Sequence, residues 1–297
     1  MRKSLVVTVL AAVIGSGVRA QAPIPPPPAP LAKNIELNTV LMQSTFMIKG
    51  PNAQGTQTMG TVFIVGRPIP NQPERGAYVM VTAAHVLDEI QGDLATLLFR
   101  KQAANETWAL LPVVIRIRAN TQPLWTKHPT ADVAVIYINL PSPIPLVSTD
   151  LLVDDKVIAE NDIHPGDELE CLGYPLGNAG NPAGFPILRS GKIASYPLLP
   201  TAVTRTFLFD FRVFQGNSGG PVYFVYSNRV SQGVTHLGQT IQGIIGLVSQ
   251  ESLFEQQSTG PYSKTVEDIQ LGLAVVVHAN LIKEAINMLP PPALSAQ

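Results

Sequence analysis

Three short stretches hold the residue types from which a nucleophilic site can be assembled: VTAAHVL around His85, TADVAV around Asp132, and GNSGGP around Ser218. A serine hydroxyl is a poor nucleophile at neutral pH until a base takes its proton. An imidazole can be that base, and a carboxylate behind it fixes the tautomer and stabilises the imidazolium. Of the five histidines, His85 stands where a β-rich run breaks at small residues, so its ring can project from a strand end. His128 and His164 precede proline in polar stretches, which favours loops, and His236 and His278 read as structural or surface residues. Asp132 opens an apolar strand, where a charge is costly without a partner. Ser218 stands among glycines that let the backbone curl around a reacting carbonyl. Alone, GNSGGP is equally a tight turn, and His85 and Asp132 a core histidine and a strand-end cap. Together they supply nucleophile, base and orienter.

Such residues need a scaffold that holds segments far apart in sequence. Short β-rich runs recur between turn residues: TVFIVG, AYVMVT, LLPVVIRI, DVAVIYI, ELECLGY, RTFLFDF, PVYFVY, TIQGIIGLVS and LGLAVVV. Without long helical patterns between them, they predict an all-β barrel or sandwich. One closing helix is predicted over Asn280 to Ile286, and the polar stretch Thr149 to His164 is the expected seam between two halves. The glycines of Gly173 to Gly184 lack a P-loop lysine and a strand-to-helix setting, so they read as a substrate-side loop.

With the order His85, Asp132, Ser218, the chain resembles the trypsin/chymotrypsin-like serine peptidases. VTAAHVL, ADVAVI and GNSGGPV are similar to that family's histidine, aspartate and serine motifs. GTVFIV, GDELECLGYPLG, ILRSGKIAS, IIGLVS and LGLAVVVHANLIKEAI resemble the bacterial branch related to the high-temperature-requirement proteases, over about Asn38 to Met288. The resemblance implies two antiparallel six-stranded β-barrels with a C-terminal helix and the triad in the cleft between them. It implies an oxyanion hole made by the N–H groups of Gly216 and Ser218, where each donor is worth about 2.7 to 4 kcal/mol in known cases. Ser249 aligns with a serine that supports the catalytic aspartate. Leu247, Val248, Ser249 and Gln250 are expected to pair with an extended substrate as an edge strand. Arg212 and Val213 are expected at the base of the first specificity pocket, with Gln250 and Gly272 as walls. No acidic residue stands where selection for Lys or Arg needs one, so an apolar preference is expected. Asn217 replaces the aspartate that digestive members carry before the serine, so no zymogen switch is expected. No PDZ-like domain is expected after Met288.

The chain therefore divides as a signal peptide over 1–20, a proline-rich linker over 21–34, an N-terminal barrel over 35–150, a C-terminal barrel and helix over 151–288, and a proline-rich tail over 289–297. MRKSLVVTVLAAVIGSGVRAQA has the positive start, apolar run and small residues of a secretory signal. A cut after Ala20 avoids placing Pro23 next to the scissile bond. Export, to a periplasm or outside the cell, is the expectation. The single cysteine, Cys171, excludes an internal disulfide framework. A formal net charge of −1 and no basic runs give no footprint for nucleic acid. No integral membrane segment is expected after signal removal, and no histidines and acid stand at zinc-ligand spacing, so no metal or organic cofactor is expected. Peptides or proteins, unfolded chains among them, are the expected substrates. Two rival functions fit the same residues: a binding or chaperone-like protein with a latent site, and an esterase. The motif order differs from the Ser-Asp-His order of the α/β-hydrolases.

Overall fold

The computed structural model describes residues 29–31, 36–103, 107–227, 229–231, 234–235, 238–259 and 264–292, with only the main chain given at 29, 73, 230–231, 234–235, 251–259 and 264–270. The expected signal peptide, most of the linker, His236 and the end of the tail lie outside the described residues.

The protein is mostly β, as the alternating short runs predict, and ends in a helix. The first half builds β1 (Thr45–Pro51), β2 (Gln57–Ile69), β3 (Gln72–Thr82), β4 (Leu94–Gln102), β5 (Trp108–Arg116) and β6 (Ala134–Tyr137). These pair in the order β5-β4-β1-β2-β3-β6. The short segments Thr126–Lys127, Ala29–Pro30 and Val147–Ser148 join β6, β3 and β2, giving nine strands among the described residues. β2 is buried on both faces from Gly60 to Gly66, which explains its near-continuous apolar run.

The second half builds β7 (Glu168–Gly173), β8 (Ile187–Lys192), β9 (Thr206–Asp210), β10 (Pro221–Ser227), β11 (Thr240–Thr259) and β12 (Lys264–His278). The six pair in the order β8-β7-β10-β11-β12-β9. The sheet curls until its ends meet, because Ile193, just after β8, bridges Phe209 of β9. β11 and β12 run past their other partners: from Leu253↔Gln270 to Thr259↔Lys264 they pair only with each other, as a two-stranded ribbon.

Three short helices interrupt the strands: α1 (Leu37–Ser44), α2 (Ala84–Glu89) and α3 (Asp155–Glu160). The last, within the expected seam, follows a bridge between Leu152 and Ile244. The final helix, α4 (Ala279–Met288), follows β12 directly. Although it continues the second half, its buried Leu281, Ile282, Ala285 and Ile286 join the cluster that contains Phe63, Val81 and Val135. A separate cluster, including Leu169, Phe209, Val222 and Val248, fills the second sheet. Among the described residues no helix is long and apolar enough to cross a membrane.

Candidate active site

β3 stops at Thr82, and Ala83 turns the chain into α2, placing His85 in the first helical turn. Asp132 lies two residues before β6, which pairs with β3 in a register that sets Ala134 opposite Thr82. This pairing brings residues 47 positions apart into contact. His85 Nδ1 lies 2.7 Å from Asp132 Oδ2, and the His85 backbone N–H donates to Oδ1 at 3.0 Å. Ser249 Oγ donates to the same Oδ2 at 2.6 Å.

Burial works against an ionised Asp132, but the His85 ring bond and charge, the Ser249 hydroxyl and the His85 N–H together hold its carboxyl down to about 2. The carboxylate therefore carries no proton at neutral pH, so Nδ1 of His85 is the donor and Nε2 keeps the lone pair. For His85, burial opposes the charged form. The Asp132 bond and charge, assisted by Glu89 and Asp88, outweigh it and raise its pKa above 6.5.

Ser218 sits in a doubly braced turn. Asn217 N–H donates to the Phe214 carbonyl, and Gly220 N–H to the Asn217 carbonyl, each at 2.9 Å. Gly219 N–H reaches the Val248 carbonyl at 2.7 Å, and Val248 N–H returns to the Gly220 carbonyl at 2.9 Å, which fixes the turn to β11. From the first half, Thr61 N–H donates to the Ser218 carbonyl at 2.8 Å, and Thr61 Oγ1 to the Gly216 carbonyl at 2.6 Å. Two of the glycines are dictated by space. A Cβ at Gly216, whose φ is +94°, would lie 2.2 Å from the Tyr174 carbonyl. One at Gly219, φ +86°, would lie 2.1 Å from the Thr61 carbonyl and 2.2 Å from Thr82 Oγ1. No other residue type fits either position without displacing backbone.

The bracing leaves a pattern. Asn217, Gly219 and Gly220 each place their N–H on a carbonyl, whereas those of Gly216 and Ser218 have no acceptor among the described residues. Two uncommitted donors, one on the serine itself, can receive negative charge that develops on a bound carbonyl. Ser218, His85, Asp132 and Ser249 line one open cavity of about 1020 Å³. No hydrogen bond joins Ser218 Oγ to His85 in this structure.

The remaining sequence-predicted residues divide. Val213 and Gln250 line the cavity, together with Phe214, Gln215 and Val275. Arg212, exposed with its guanidinium 5.2 Å above the Phe214 ring, is not on the wall, and neither is Gly272. Leu247 and Val248 are fully buried, and their main chains are paired on both sides, Leu247 with Pro221 and Val277, Val248 with the serine turn and Val276. β11 is thus an inner strand here, and its register with β12 breaks at Ser249, between Val248 and Gln250. The structure does not bring Arg212, Leu247, Val248 or Gly272 to the cavity wall.

Sequence reasoning missed Thr61, whose bonds to the serine turn come from inside the quoted GTVFIV run. It also missed Arg205 and Glu89 on the wall and the buried His128, whereas Leu176 on the wall belongs to the Gly173 to Gly184 stretch read as a substrate-side loop. His128 is buried, its Nδ1 accepts the Thr130 N–H at 3.2 Å, and its Nε2 lies 3.0 Å from Glu284 on α4. The proline after His128 signals a loop but not which residue the ring will meet. Cys171 is buried and free, with its thiol pushed up to about 12 by burial, an apolar residue in effect. No group of His, Cys, Asp or Glu side chains suited to a metal occurs among the described residues.

No protein-family model matches the chain, and no curated protein matches it.

Proposed function

We propose that the protein is a serine endopeptidase of the trypsin/chymotrypsin-like type, that its two sheets correspond to the two six-stranded barrels of that fold, and that the N-terminal segment directs it to export. One observation carries the activity: Asp132 holds His85 by Nδ1, leaving Nε2 as a base in the cavity that Ser218 also lines. In the proposed reaction Ser218 Oγ attacks a peptide carbonyl as His85 Nε2 takes its proton. The carbonyl oxygen, now an anion, is received by the N–H groups of Gly216 and Ser218. His85 returns the proton to the departing amine, leaving an acyl-enzyme, and a water activated by the same nitrogen releases the acid. The raised pKa of His85 suits this role, since it favours the imidazolium the base must become.

The missing Ser218–His85 bond favours a second reading, a binding or chaperone-like protein whose site stays latent. The first reading needs that bond to tighten when substrate binds, as happens where resting geometry is loose. Digestion of an unfolded protein by the pure chain, and by Ser218→Ala, separates them. The endopeptidase reading predicts fragments from the parent and none from the mutant, with both folded. Suppression of aggregation by both forms, with no cleavage by either, would establish the alternative.

A further inference from the structure

The cavity is lined by four ionisable side chains, and three of them have assigned partners or roles. Asp132 is bonded to His85 and Ser249, and Glu89 accepts the Thr58 hydroxyl at 3.2 Å. The fourth, Arg205, differs. Its side chain crosses from the second half to donate to Thr130 Oγ1, two residues before Asp132. Its own carbonyl accepts the His278 N–H at 3.2 Å, which fixes the main chain at the start of β9. No carboxylate pairs with it among the described residues.

A guanidinium presents five N–H donors in a planar fork. One hydroxyl engages a single arm, so Arg205 is held in place by Thr130 while donors remain for a second acceptor. The group that satisfies them best is a carboxylate, through paired charge-assisted bonds. Of the rest of the wall, Val213, Phe214, Gln215, Val275 and Val277 carry no charge, and the carboxylates are Asp132, engaged by His85 and Ser249, and Glu89, which accepts from Thr58.

We propose that Arg205 is a specificity-determining residue that selects substrates with an acidic side chain near the scissile bond. The residue whose carbonyl is attacked meets the Val213–Phe214 wall. The acidic side chain belongs to a different position of the same peptide, on the Thr130 flank. This inference rests on the endopeptidase reading.

The test is a set of quenched fluorescent peptides on one scaffold, with Glu, Gln, Ala or Lys placed at each position in turn. They are cleaved by the parent, by Arg205→Gln and by Arg205→Glu. At one position other than that of the attacked carbonyl, Glu should exceed Gln about tenfold in kcat/KM, as expected of a charge-assisted bond at a partly exposed site. The advantage should shrink as salt is raised. Arg205→Gln should bring the ratio of Glu to Gln peptide near one, whatever its effect on the overall rate, and Arg205→Glu should favour Lys there. Cleavage with no preference for Glu, or a preference that survives Arg205→Gln, would overturn the assignment and leave the protease standing. A folded parent that cleaves no peptide would overturn both.

Discussion

Asp132 accepts three hydrogen bonds from two neighbours, and their joint effect is to separate two pKa values. Its own is held at about 2 and that of His85 is lifted above 6.5. The proposed reaction needs Nε2 unprotonated, so kcat/KM should climb with pH through one midpoint above 6.5, with no limb from Asp132 in the neutral range. Asp132→Asn should cost about 10⁴ in kcat, because an amide can hold the ring in the wrong tautomer, and should move the midpoint down. A midpoint unchanged in that variant would break the assigned coupling. The linkage to stability runs oppositely for the two groups. The raised His85 contributes fully below 6.5 and loses its contribution as pH rises through its folded value. Asp132 contributes above 3.8 and loses it as pH falls toward 2. His85, Asp132 and Ser218 were legible in the sequence because each lies in a short run whose neighbours are themselves constrained. Thr61 and Arg205 were not, since a threonine in a strand and an arginine before one carry no local mark of what they meet across the cleft.

Between elements, the connection that matters is the loop from Tyr174 to Pro186, which lies against the serine turn. Its Leu176 N–H donates to the Gln215 carbonyl at 2.7 Å, and the Tyr174 carbonyl packs against Gly216. Arg100 of β4 holds this loop from behind. It is 1% exposed, donates to the Tyr174 hydroxyl at 2.9 Å and the carbonyls of Gly184, Met42, Gln43 and Thr45, and lies between the rings of Phe46 and Phe185, 4.4 Å from each centroid. Arg100→Met matches the volume roughly but strands several buried carbonyls. It should lower unfolding free energy by at least about 3 kcal/mol, read from urea denaturation, and a loss under about 1 kcal/mol would contradict this account. The strands were readable as short β-rich runs between turn residues, and α4 from its apolar spacing. The short helices α2 and α3 were not, because at six residues each, less than two turns, they show too little of a helical period. The ribbon beyond Gln250 escaped for the opposite reason. In sequence, Glu251 to Thr259 carries only Leu253 and Phe254 as apolar residues, so the run that reads as strand ends at Ser249.

Across the molecule, the two sheets are joined by a chain that returns. α4 leaves β12 and carries its apolar face into the first-half core, so the expected division near 150 is a boundary in sequence more than in packing. At that crossing stands His278, 1% exposed, with neither ring nitrogen partnered among the described residues and the Phe207 ring 4.9 Å away. Burial lowers its pKa to about 4, so the unfolded chain binds its proton first. Stability from this site is complete above about 6.5 and declines as pH falls toward 4, by about 3 kcal/mol at most. His278→Leu should flatten the denaturation midpoint over that window relative to the parent, and parallel curves would exclude the effect. The central claim, that both halves converge to activate Ser218, is tested most directly by intact mass after exposure to a fluorophosphonate. The account predicts one adduct on the parent and none on Ser218→Ala. A folded parent that takes up no adduct, or a mutant labelled equally, would contradict it.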